Sequence, residues 1–467
     1  MKNYNRRNFL KKSTLGAVAA STLSISCQEN MSKPSPGKYM GDFFDKPLEN
    51  VKAAFIGLGA RGPGHLKNFS TLNNTQVVAL CDLYEDNVKR ESTRLKNYNK
   101  SSNNVKLYWG SENIWKTMLK ETKPDIVFIC TNWKNHAPMV IQTMLDGAHA
   151  FCEVPLAIST SEMWDIVNTS EKTQKHCMMM ENVNYGREEL MYLNMCRKGV
   201  IGDLLHAEAA YIHELRFQMN QEERGTGSWR TNHYAEGNGN LYPTHGLGPI
   251  CQLLNVNRGD QMDYLVSIQS DDFSMQKKAL ELSVKDPYFK QFVDQKFRGN
   301  MNTTTIKTHH GKTIMVQHDV SSPRPYSRIH LLSGTNGVAM KYPEPRISNH
   351  HHEWIKPEQM AEMEKKYAPP IVAKIGELAK QIGGHGGMDF MMDWRLIDCL
   401  RNGLPLDQDV YDAAAWSAIV PLSEVSVNNR SRSMNVPDFT RGSWKTNAPV
   451  DISLNQGANT GVKPAKV

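Results

Sequence analysis

The stretch that decides the fold of this chain is Val51-Lys52-Ala53-Ala54-Phe55-Ile56-Gly57-Leu58-Gly59-Ala60-Arg61-Gly62. Residues 53–56 form a short apolar run typical of a buried strand, and a glycine-rich GxGxxG turn follows at once. Glycines at this spacing permit a tight turn and let the backbone approach a pyrophosphate at the start of the next helix. The stretch therefore predicts a dinucleotide site at Gly57, Gly59, Ala60, Arg61 and Gly62, with a purely structural turn as the alternative.

Asp82 follows the second apolar run, residues 76–81, and supports the same interpretation. A carboxylate at the end of the second strand can bind both ribose hydroxyls of a dinucleotide. No arginine or lysine follows Asp82 directly to receive a 2′-phosphate, so the sequence favours NAD over NADP as the cofactor.

Further apolar runs continue this pattern at residues 125–130, 148–152 and 177–180, with helical segments between them. Continuous apolar runs of this length are typical of a parallel sheet that is buried on both faces. We therefore expect an α/β fold in which residues 48–184 form an NAD-binding Rossmann domain, built on a doubly wound parallel sheet.

The pattern changes after residue 184. The longer strands are predicted at residues 204–215, 262–270, 303–308 and 313–319. His310-Gly311 and Asn336-Gly337 are typical of hairpin turns. Consecutive hairpins predict a C-terminal α+β domain over residues 185–446, with a largely antiparallel sheet and helices on one face. Its polar and aromatic segments, described below, make it the expected substrate-binding domain.

The end of the chain contains two predicted helices and a polar segment. The helices, at residues 388–400 and 410–425, are expected to return to the first domain. Residues 447–467 are polar and contain glycine and proline, so they are predicted to form a tail.

Residues 1–31 are predicted to be an export signal rather than part of the fold. Arg6-Arg7-Asn8-Phe9-Leu10-Lys11-Lys12 precedes a small, apolar run, which is the pattern of the twin-arginine export route. Cys27 follows small and apolar residues and is a candidate for lipid attachment, although Ser24 stands where leucine is usual. The expected location is the periplasm, with membrane attachment if Cys27 is lipidated.

Composition limits the classes of partner and the kind of protein that this chain can be. The formal net charge of +7 is diffuse, which argues against a nucleic-acid partner. No apolar stretch reaches the roughly 20 residues that span a bilayer. The eight cysteines include no CxxC pair, and several lie in strand-like runs, so we expect free thiols. The sequence leaves the oligomeric state open, and a homo-oligomer is compatible with it.

Two segments at strand ends extend the cofactor site: Cys130-Thr131-Asn132-Trp133-Lys134-Asn135-His136 and Glu153-Val154-Pro155. Ligands bind at the carboxyl ends of strands in open α/β sheets. These segments resemble the glucose-fructose oxidoreductase and inositol dehydrogenase superfamily. The resemblance implies that the nicotinamide side is lined by Trp133, Asn135, His136, Glu153, Val154 and Asn182. Most dehydrogenases of that superfamily have lysine where this chain has Val154, which cannot exchange a proton, so ordinary dehydrogenation is in doubt.

Later segments are dense in aromatic, amide, arginine and histidine side chains, a combination typical of sugar sites. The motifs Glu-Val-Pro, Glu-Asn-Val-Asn-Tyr-Gly-Arg (residues 181–187) and Tyr-Pro-Thr-His-Gly-Leu-Gly-Pro (residues 242–249) resemble glycoside hydrolase family 109. The characteristic activity of that family is α-N-acetylgalactosaminidase, so the resemblance implies a glycan with terminal N-acetylgalactosamine as substrate. It implies substrate contacts at Tyr211, Arg230, Tyr242, Pro243, Thr244, His245 and Tyr326.

Structural alternatives exist for the candidate residues. Tyr211 could instead pack on the core, Arg230 could form a surface ion pair, and His245 could simply begin a helix. Residues 350–352 are three adjacent histidines, but neighbours along a chain do not easily converge on one ion. No metal site is therefore expected.

An exported nucleotide-binding enzyme cannot readily exchange NAD outside the cytoplasm, so its cofactor must be regenerated on the protein. The family resemblance implies a cycle of oxidation, elimination, addition and reduction on one sugar, without net redox change. His245 is the candidate acid/base because imidazole titrates near neutral pH, and Tyr185 and Tyr242 are candidates for positioning the sugar or relaying protons. The alternatives are a periplasmic NAD(P)-dependent sugar oxidoreductase with a tightly bound cofactor and a non-catalytic sugar-binding protein.

Overall fold

The computed structural model describes residues 37–98, 104–349 and 352–463. The strands of its first sheet are β1 (Val51–Ile56), β2 (Thr75–Cys81), β3 (Lys106–Tyr108), β4 (Ile126–Ile129), β5 (His149–Cys152) and β6 (Cys177–Met179). They are parallel and lie in the order β3-β2-β1-β4-β5-β6. Every residue of β4 and β5 is buried, because helices cover both faces of the sheet. The predicted doubly wound sheet is confirmed.

The helices that connect these strands are α1 (Gly62–Thr71), α2 (Glu85–Tyr98), α3 (Ile114–Thr122), α4 (Trp133–Leu145) and α5 (Thr160–Thr173). Aromatic rings join the glycine turn's strand to the helix after it. Phe55 on β1 stacks on Phe128 of β4 with ring centroids 4.7 Å apart, and Phe69 of α1 meets both rings edge-on. This packing holds α1, which begins at Gly62 of the glycine turn, against the sheet.

The strands of the second sheet are β7 (Leu204–Ile212), β8 (Met262–Gln269), β9 (Asn302–Thr308), β10 (Thr313–Asp319), β11 (Ser327–Gly334), β12 (Val338–Met340), β13 (Arg346–Ser348) and β14 (Met434–Asn435). Their order is β13-β12-β11-β7-β10-β9-β8-β14. Each neighbouring pair is antiparallel except β7 and β10. The expected largely antiparallel sheet is confirmed, and both predicted hairpin turns connect paired strands.

The remaining helices are α6 (Arg187–Arg197), α7 (Thr226–Glu236), α8 (Thr244–Leu253), α9 (Met275–Lys285), α10 (Pro357–Tyr367), α11 (Pro370–Ile382), α12 (Met388–Asn402), α13 (Val410–Ser417) and α14 (Ile419–Asn428). A 3-10 helix, Asn182–Tyr185, follows β6. Helix α8 packs on β7, α12 packs on α1, and both helices contact the 3-10 helix that follows β6.

The single helix predicted at residues 410–425 is wrong, because the structure divides it at Ala418 into α13 and α14. Pro421 has no N–H to donate to the carbonyl of Ser417, which favours a break just before it. Helix α13 packs on α5 as expected, whereas α14 packs on β8 of the second sheet.

Residues 447–463, the described part of the segment predicted as a tail, contact α12 and α1. The carboxylate of Asp398 on α12 accepts hydrogen bonds from the backbone of Ala458, Asn459 and Thr460. The N–H of Lys463 then donates to the carbonyl of Thr71 at 2.7 Å. Hydrogen bonds thus attach residues 458–463, whose polar composition predicted a tail, to the body of the protein.

The seven cysteines in the described part of the chain are free thiols, as expected. None of the described helices is both long and apolar enough to cross a membrane. The predicted export signal with Cys27, and two of the three adjacent histidines at residues 350 and 351, lie outside the described residues.

Candidate active site

A cleft of about 710 Å³ lies at the carboxyl ends of β1, β2, β4 and β5. Among the predicted cofactor residues, those that line it are Gly57, Gly59, Ala60, Arg61, Asp82, Trp133, Asn135, His136, Glu153 and Val154. Arg230 and Tyr242, predicted as substrate contacts, line the same cleft. One cavity therefore joins the glycine turn to part of the predicted sugar site.

The three glycines of the turn are required for different steric reasons. Gly57 has φ of +88°, and a Cβ there would lie 2.5 Å from the carbonyl oxygen of Cys130. A Cβ on Gly62 would lie 2.0 Å from the carbonyl oxygen of Gly57. At Gly59 a Cβ would meet no atom within 4 Å. Gly57 and Gly62 therefore allow the turn to form, while Gly59 leaves room for a ligand, as a dinucleotide pyrophosphate requires.

Asp82 is held at the wall of the cleft by three donors. Its Oδ2 accepts from the N–H of Leu58 at 2.6 Å, and its Oδ1 accepts from the N–H of Tyr84 at 2.9 Å and from Asn87 at 3.2 Å. Arg90 also lines the cleft, and its Nε lies 2.7 Å from Glu91, a carboxylate that Arg94 contacts as well. This wall offers an oriented carboxylate to ribose hydroxyls.

Glu153, at the end of β5, is part of a buried charge network. Its Oε1 lies 2.8 Å from Nε of Arg61 and 2.9 Å from Nε2 of His65. Burial alone would raise the pKa of Glu153, but the positive charges of Arg61 and His65 hold that pKa well below its usual range. Glu153 is therefore a fixed, ionised carboxylate on the side of the cleft that is predicted to face the nicotinamide.

His65 carries the positive charge at the centre of this network. Its Nδ1 lies 2.9 Å from Asp393 while its Nε2 faces Glu153, so both ring nitrogens must donate. Burial alone would lower the pKa of His65, but the two carboxylates raise it to about 10. The imidazolium links α1, β5 and α12 in the described structure.

Asp389, four residues before Asp393 on α12, completes the network. It lies 3.0 Å from Nη1 of Arg61 and accepts from Nδ2 of Asn182 at 2.5 Å. The side chain of Asn182 thus binds Asp389 and does not line the cleft. Sequence analysis missed both aspartates and His65, although carboxylates four residues apart in an apolar helix are an unusual pattern that could have indicated them.

An aromatic wall continues from the cleft into the second half of the molecule. Its rings belong to Trp133, Tyr211, His213, Trp229, His233, Tyr242, His245 and Tyr326. Tyr242 is central, with ring centroids 4.7 Å from Tyr211 and 4.9 Å from His245. The guanidinium of Arg230 lies 5.1 Å from the Tyr242 ring centroid, a cation–π distance. The structure thus brings together five predicted substrate residues: Tyr211, Arg230, Tyr242, His245 and Tyr326.

His245 is oriented by a carboxylate that sequence analysis did not single out. Its Nδ1 lies 2.7 Å from Oε1 of Glu181, which is completely buried. A Cβ at Gly248 would lie 2.8 Å from Cγ of Glu181, and one at Gly246 would lie 2.6 Å from the backbone nitrogen of Ala210. Two glycines therefore let α8 approach both β7 and Glu181. Glu181 lies in the same motif as Asn182, but the sequence offers no sign that it faces His245.

The remaining predicted residues do not line the cleft. Tyr185 donates its hydroxyl to Asp407 at 3.2 Å and packs in an apolar cluster with residues of α12, because the 3-10 helix turns its ring into the core. Pro243 precedes α8, and Thr244 is completely buried at its start. The placement of Tyr185 gives no support to its predicted catalytic role.

The comparisons with known proteins agree with this geometry. Residues 51–181 match the model of the oxidoreductase family with an NAD-binding Rossmann fold, so the fold and cleft define an NAD-binding protein of that class. Residues 185–446 match the model of the glycosyl hydrolase 109 C-terminal domain. The chain belongs to glycosyl hydrolase family 109 and is a glycosidase of that type.

Two curated relatives carry the same family designation. A glycosyl hydrolase family 109 protein of Shewanella pealeana is 48% identical over 456 residues, covering 96% of this chain and 99% of its own. Another, from Shewanella sp. strain MR-4, is 49% identical over 465 residues, covering 97% and 99%. Among solved structures, an NAD binding oxidoreductase from Klebsiella pneumoniae shares the fold with a TM-score of 0.62 and 14% identity, covering 83% of this chain and 99% of that one.

Proposed function

We propose that this glycosidase removes terminal α-N-acetylgalactosamine residues from glycans and retains NAD as its cofactor. One observation carries the proposal: the His245–Glu181 pair lies on an aromatic wall that continues directly from the dinucleotide cleft. A sugar held on that wall lies beside the nicotinamide side of the cleft, where Trp133 and Tyr242 line both.

The state of the carboxylates argues against direct displacement at the glycosidic bond. A glycosidase with two carboxylates needs one of them protonated to assist the leaving group. Glu153 is held ionised by Arg61 and His65, and Glu181 is buried against His245. Glu153 is therefore not the protonated acid, and Glu181 contacts His245 and does not line the cleft, so we assign the acid/base work to His245.

The residues of the cleft fit NAD. The glycine turn leaves room at Gly59 for the pyrophosphate, and Asp82 would receive the ribose hydroxyls. A 2′-phosphate would meet the negative charge of Asp82, and the nearby Arg90 is already paired with Glu91. NAD is therefore favoured over NADP. Bound NAD would supply reversible hydride transfer at C3 of the sugar, with no net redox change over the cycle.

With C3 at the ketone level the C2 proton is acidic, and His245 takes it. The electron pair of the C2–H bond forms the C1–C2 double bond, and the aglycone leaves C1 with its bonding pair and gains a proton. Glu181 stabilises the imidazolium that His245 becomes. Water then adds its hydroxyl to C1, and a proton returns to C2. Tyr211, Arg230 and Tyr242 hold the sugar on the aromatic wall while this happens.

Hydrolysis in D₂O tests this proposal. Aryl α-N-acetylgalactosaminide should release sugar that carries deuterium at C2, and the β-anomer serves as the stereochemical control. Cleavage at a normal rate of an analogue that lacks the 3-hydroxyl would refute the cycle, because no hydride could then leave C3. Net formation of a keto sugar would instead indicate the oxidoreductase alternative.

We also propose that the protein is exported by the twin-arginine route and acts in the periplasm. The basis is the Arg6-Arg7 motif and the apolar run after it, and Cys27 is proposed as a lipid anchor. Cell fractionation of wild type and of a variant with both arginines changed to lysine tests the route. Label from a radioactive fatty acid on wild type, and its loss in Cys27→Ser, tests the anchor.

A further inference from the structure

The mouth of the dinucleotide cleft is bridged by one arginine. One wall is formed by Asp82, Tyr84 and Asn87, and residues 221–228 form the wall opposite. The guanidinium carbon of Arg224, in the second wall, lies 3.7 Å from the centroid of the Tyr84 ring. Its Nη1 lies 3.0 and 2.9 Å from the two carboxylate oxygens of Asp86. These contacts join parts of the chain that are 138 residues apart.

The segment that carries Arg224 is itself held in place. The N–H of Gly227 donates to Oε1 of Gln221 at 2.7 Å, closing the segment on itself. Gly225 has φ of +101°, and a Cβ there would lie 2.5 Å from Gln221. Outside the segment, the hydroxyl of Tyr288 donates to the carbonyl of Glu222 at 3.0 Å. Arg224 is therefore presented to the cleft by an ordered segment.

We propose that Arg224, Tyr84 and Asp86 form a clamp that closes over the adenosine half of the bound dinucleotide and slows its release. Asp82, which would receive the adenosine ribose, stands two residues before Tyr84, so the clamp lies over that end of the cleft. A departing nucleotide must pass between the walls and break the contacts of Arg224. The inference rests on the proposed NAD site. Slow release would let the protein retain its NAD after export, where free NAD is scarce.

The strength of the Arg224 contacts limits how much they can slow nucleotide release. The side chains of Arg224 and Asp86 are 51% and 61% exposed, so water and salt weaken their ion pair. Stacking of the guanidinium on Tyr84 is less sensitive to salt. Together the two contacts predict that loss of Arg224 accelerates nucleotide release by roughly 3- to 30-fold.

The experiment measures the dissociation of NADH from the full-length protein. Protein loaded with NADH is mixed with excess NAD⁺, and the fluorescence of bound NADH is followed in time. Arg224→Ala should release NADH about 3- to 30-fold faster than wild type. Asp86→Asn and Tyr84→Leu should each have a smaller effect, and neither should add fully to Arg224→Ala. Arg346→Ala, which removes a half-exposed arginine paired with Glu344, is the control and should leave the rate unchanged.

Salt provides a second readout. Raising NaCl from low to high concentration should accelerate release from wild type and have little effect on Arg224→Ala, because the screened ion pair is already lost. Release from Arg224→Ala at the wild-type rate would overturn the clamp. If wild type and all variants failed to bind NADH, the cofactor assignment itself would be wrong and the clamp would fall with it. A faster release in Asp86→Asn alone would show that Arg224 takes no part.

Discussion

Nδ1 of His245 lies 2.7 Å from Oε1 of Glu181, and the glutamate is completely buried while the imidazole reaches the aromatic wall. A carboxylate in this position sets which ring nitrogen carries the proton and leaves the other nitrogen free to face the site. The pair lies where α8 comes close to the end of β6, a contact that Gly248 permits.

His245→Ala should lower kcat by roughly 10²- to 10⁴-fold, because it removes the proposed acid/base group. The bound NAD should remain, since His245 does not line the dinucleotide cleft. Steady-state kinetics with an aryl α-N-acetylgalactosaminide and assay of nucleotide released on denaturation measure the two effects. A nearly normal rate in this variant would show that His245 has only a structural role at the start of α8.

Glu181→Gln should lower kcat by about 10²-fold or more with little change in KM, because the imidazole loses the partner that fixes its tautomer. Glu424→Gln is the control for removing a carboxylate charge: Glu424 is partly buried, contacts no histidine in the described structure and accepts from the backbone N–H of Asn238. Equal losses in the two variants would mean that Glu181 acts only through the stability of the fold. A rise in KM alone would also contradict the positioning role.

Asp82→Asn should weaken NADH binding by about 1–3 kcal/mol, the range for a lost hydrogen bond to a charged group. It should also narrow the preference for NADH over NADPH, since the repulsion of a 2′-phosphate is removed. Fluorescence titration of both nucleotides gives the two affinities. Asp125→Asn, which alters a carboxylate at the opposite end of the sheet bonded to the backbone of Lys52, should change neither.

The protein purified without added nucleotide should contain NAD(H) in proportion to its activity, because the proposed cycle neither consumes nor exchanges the cofactor. Denaturation followed by an enzymatic assay of the supernatant measures the content. An active preparation that contains no nucleotide would exclude the proposed mechanism.

His65 predicts a pH dependence of stability. Its pKa is raised from 6.5 to about 10 in the folded protein, so its contribution is complete below about pH 6.5 and is lost as pH rises toward 10. His65→Gln should cost about 3–5 kcal/mol at pH 6, the scale for breaking a buried ion pair. The difference from wild type should shrink above pH 7, by at most about 1.4 kcal/mol per pH unit.

Denaturant unfolding between pH 6 and pH 10 measures that difference. His176→Gln is the control, because burial lowers the pKa of His176 to about 4 and it stays neutral throughout the range. A difference between wild type and His65→Gln that did not vary with pH would show that His65 is not the titrating group.

The sequence by itself determined the features that depend on neighbouring residues. The successive apolar runs between residues 53 and 180 predicted a parallel sheet, and the glycine spacing with Asp82 predicted the dinucleotide site. The motif around His245 indicated a sugar site and the family. These signals are local, because strand burial, tight turns and helix starts are decided within a few residues.

Only the tertiary structure decided which groups face one another. His65 meets Asp393 across 328 residues, and His245 meets Glu181 across 64. Tyr185, beside the same motif, turns instead into the core toward Asp407. Arg224 reaches Tyr84 and Asp86 from the opposite wall of the cleft. The physical reason is that a buried charge needs a partner, and the packing of distant helices decides which residue is close enough to be that partner. Residue spacing along the chain does not predict such pairs.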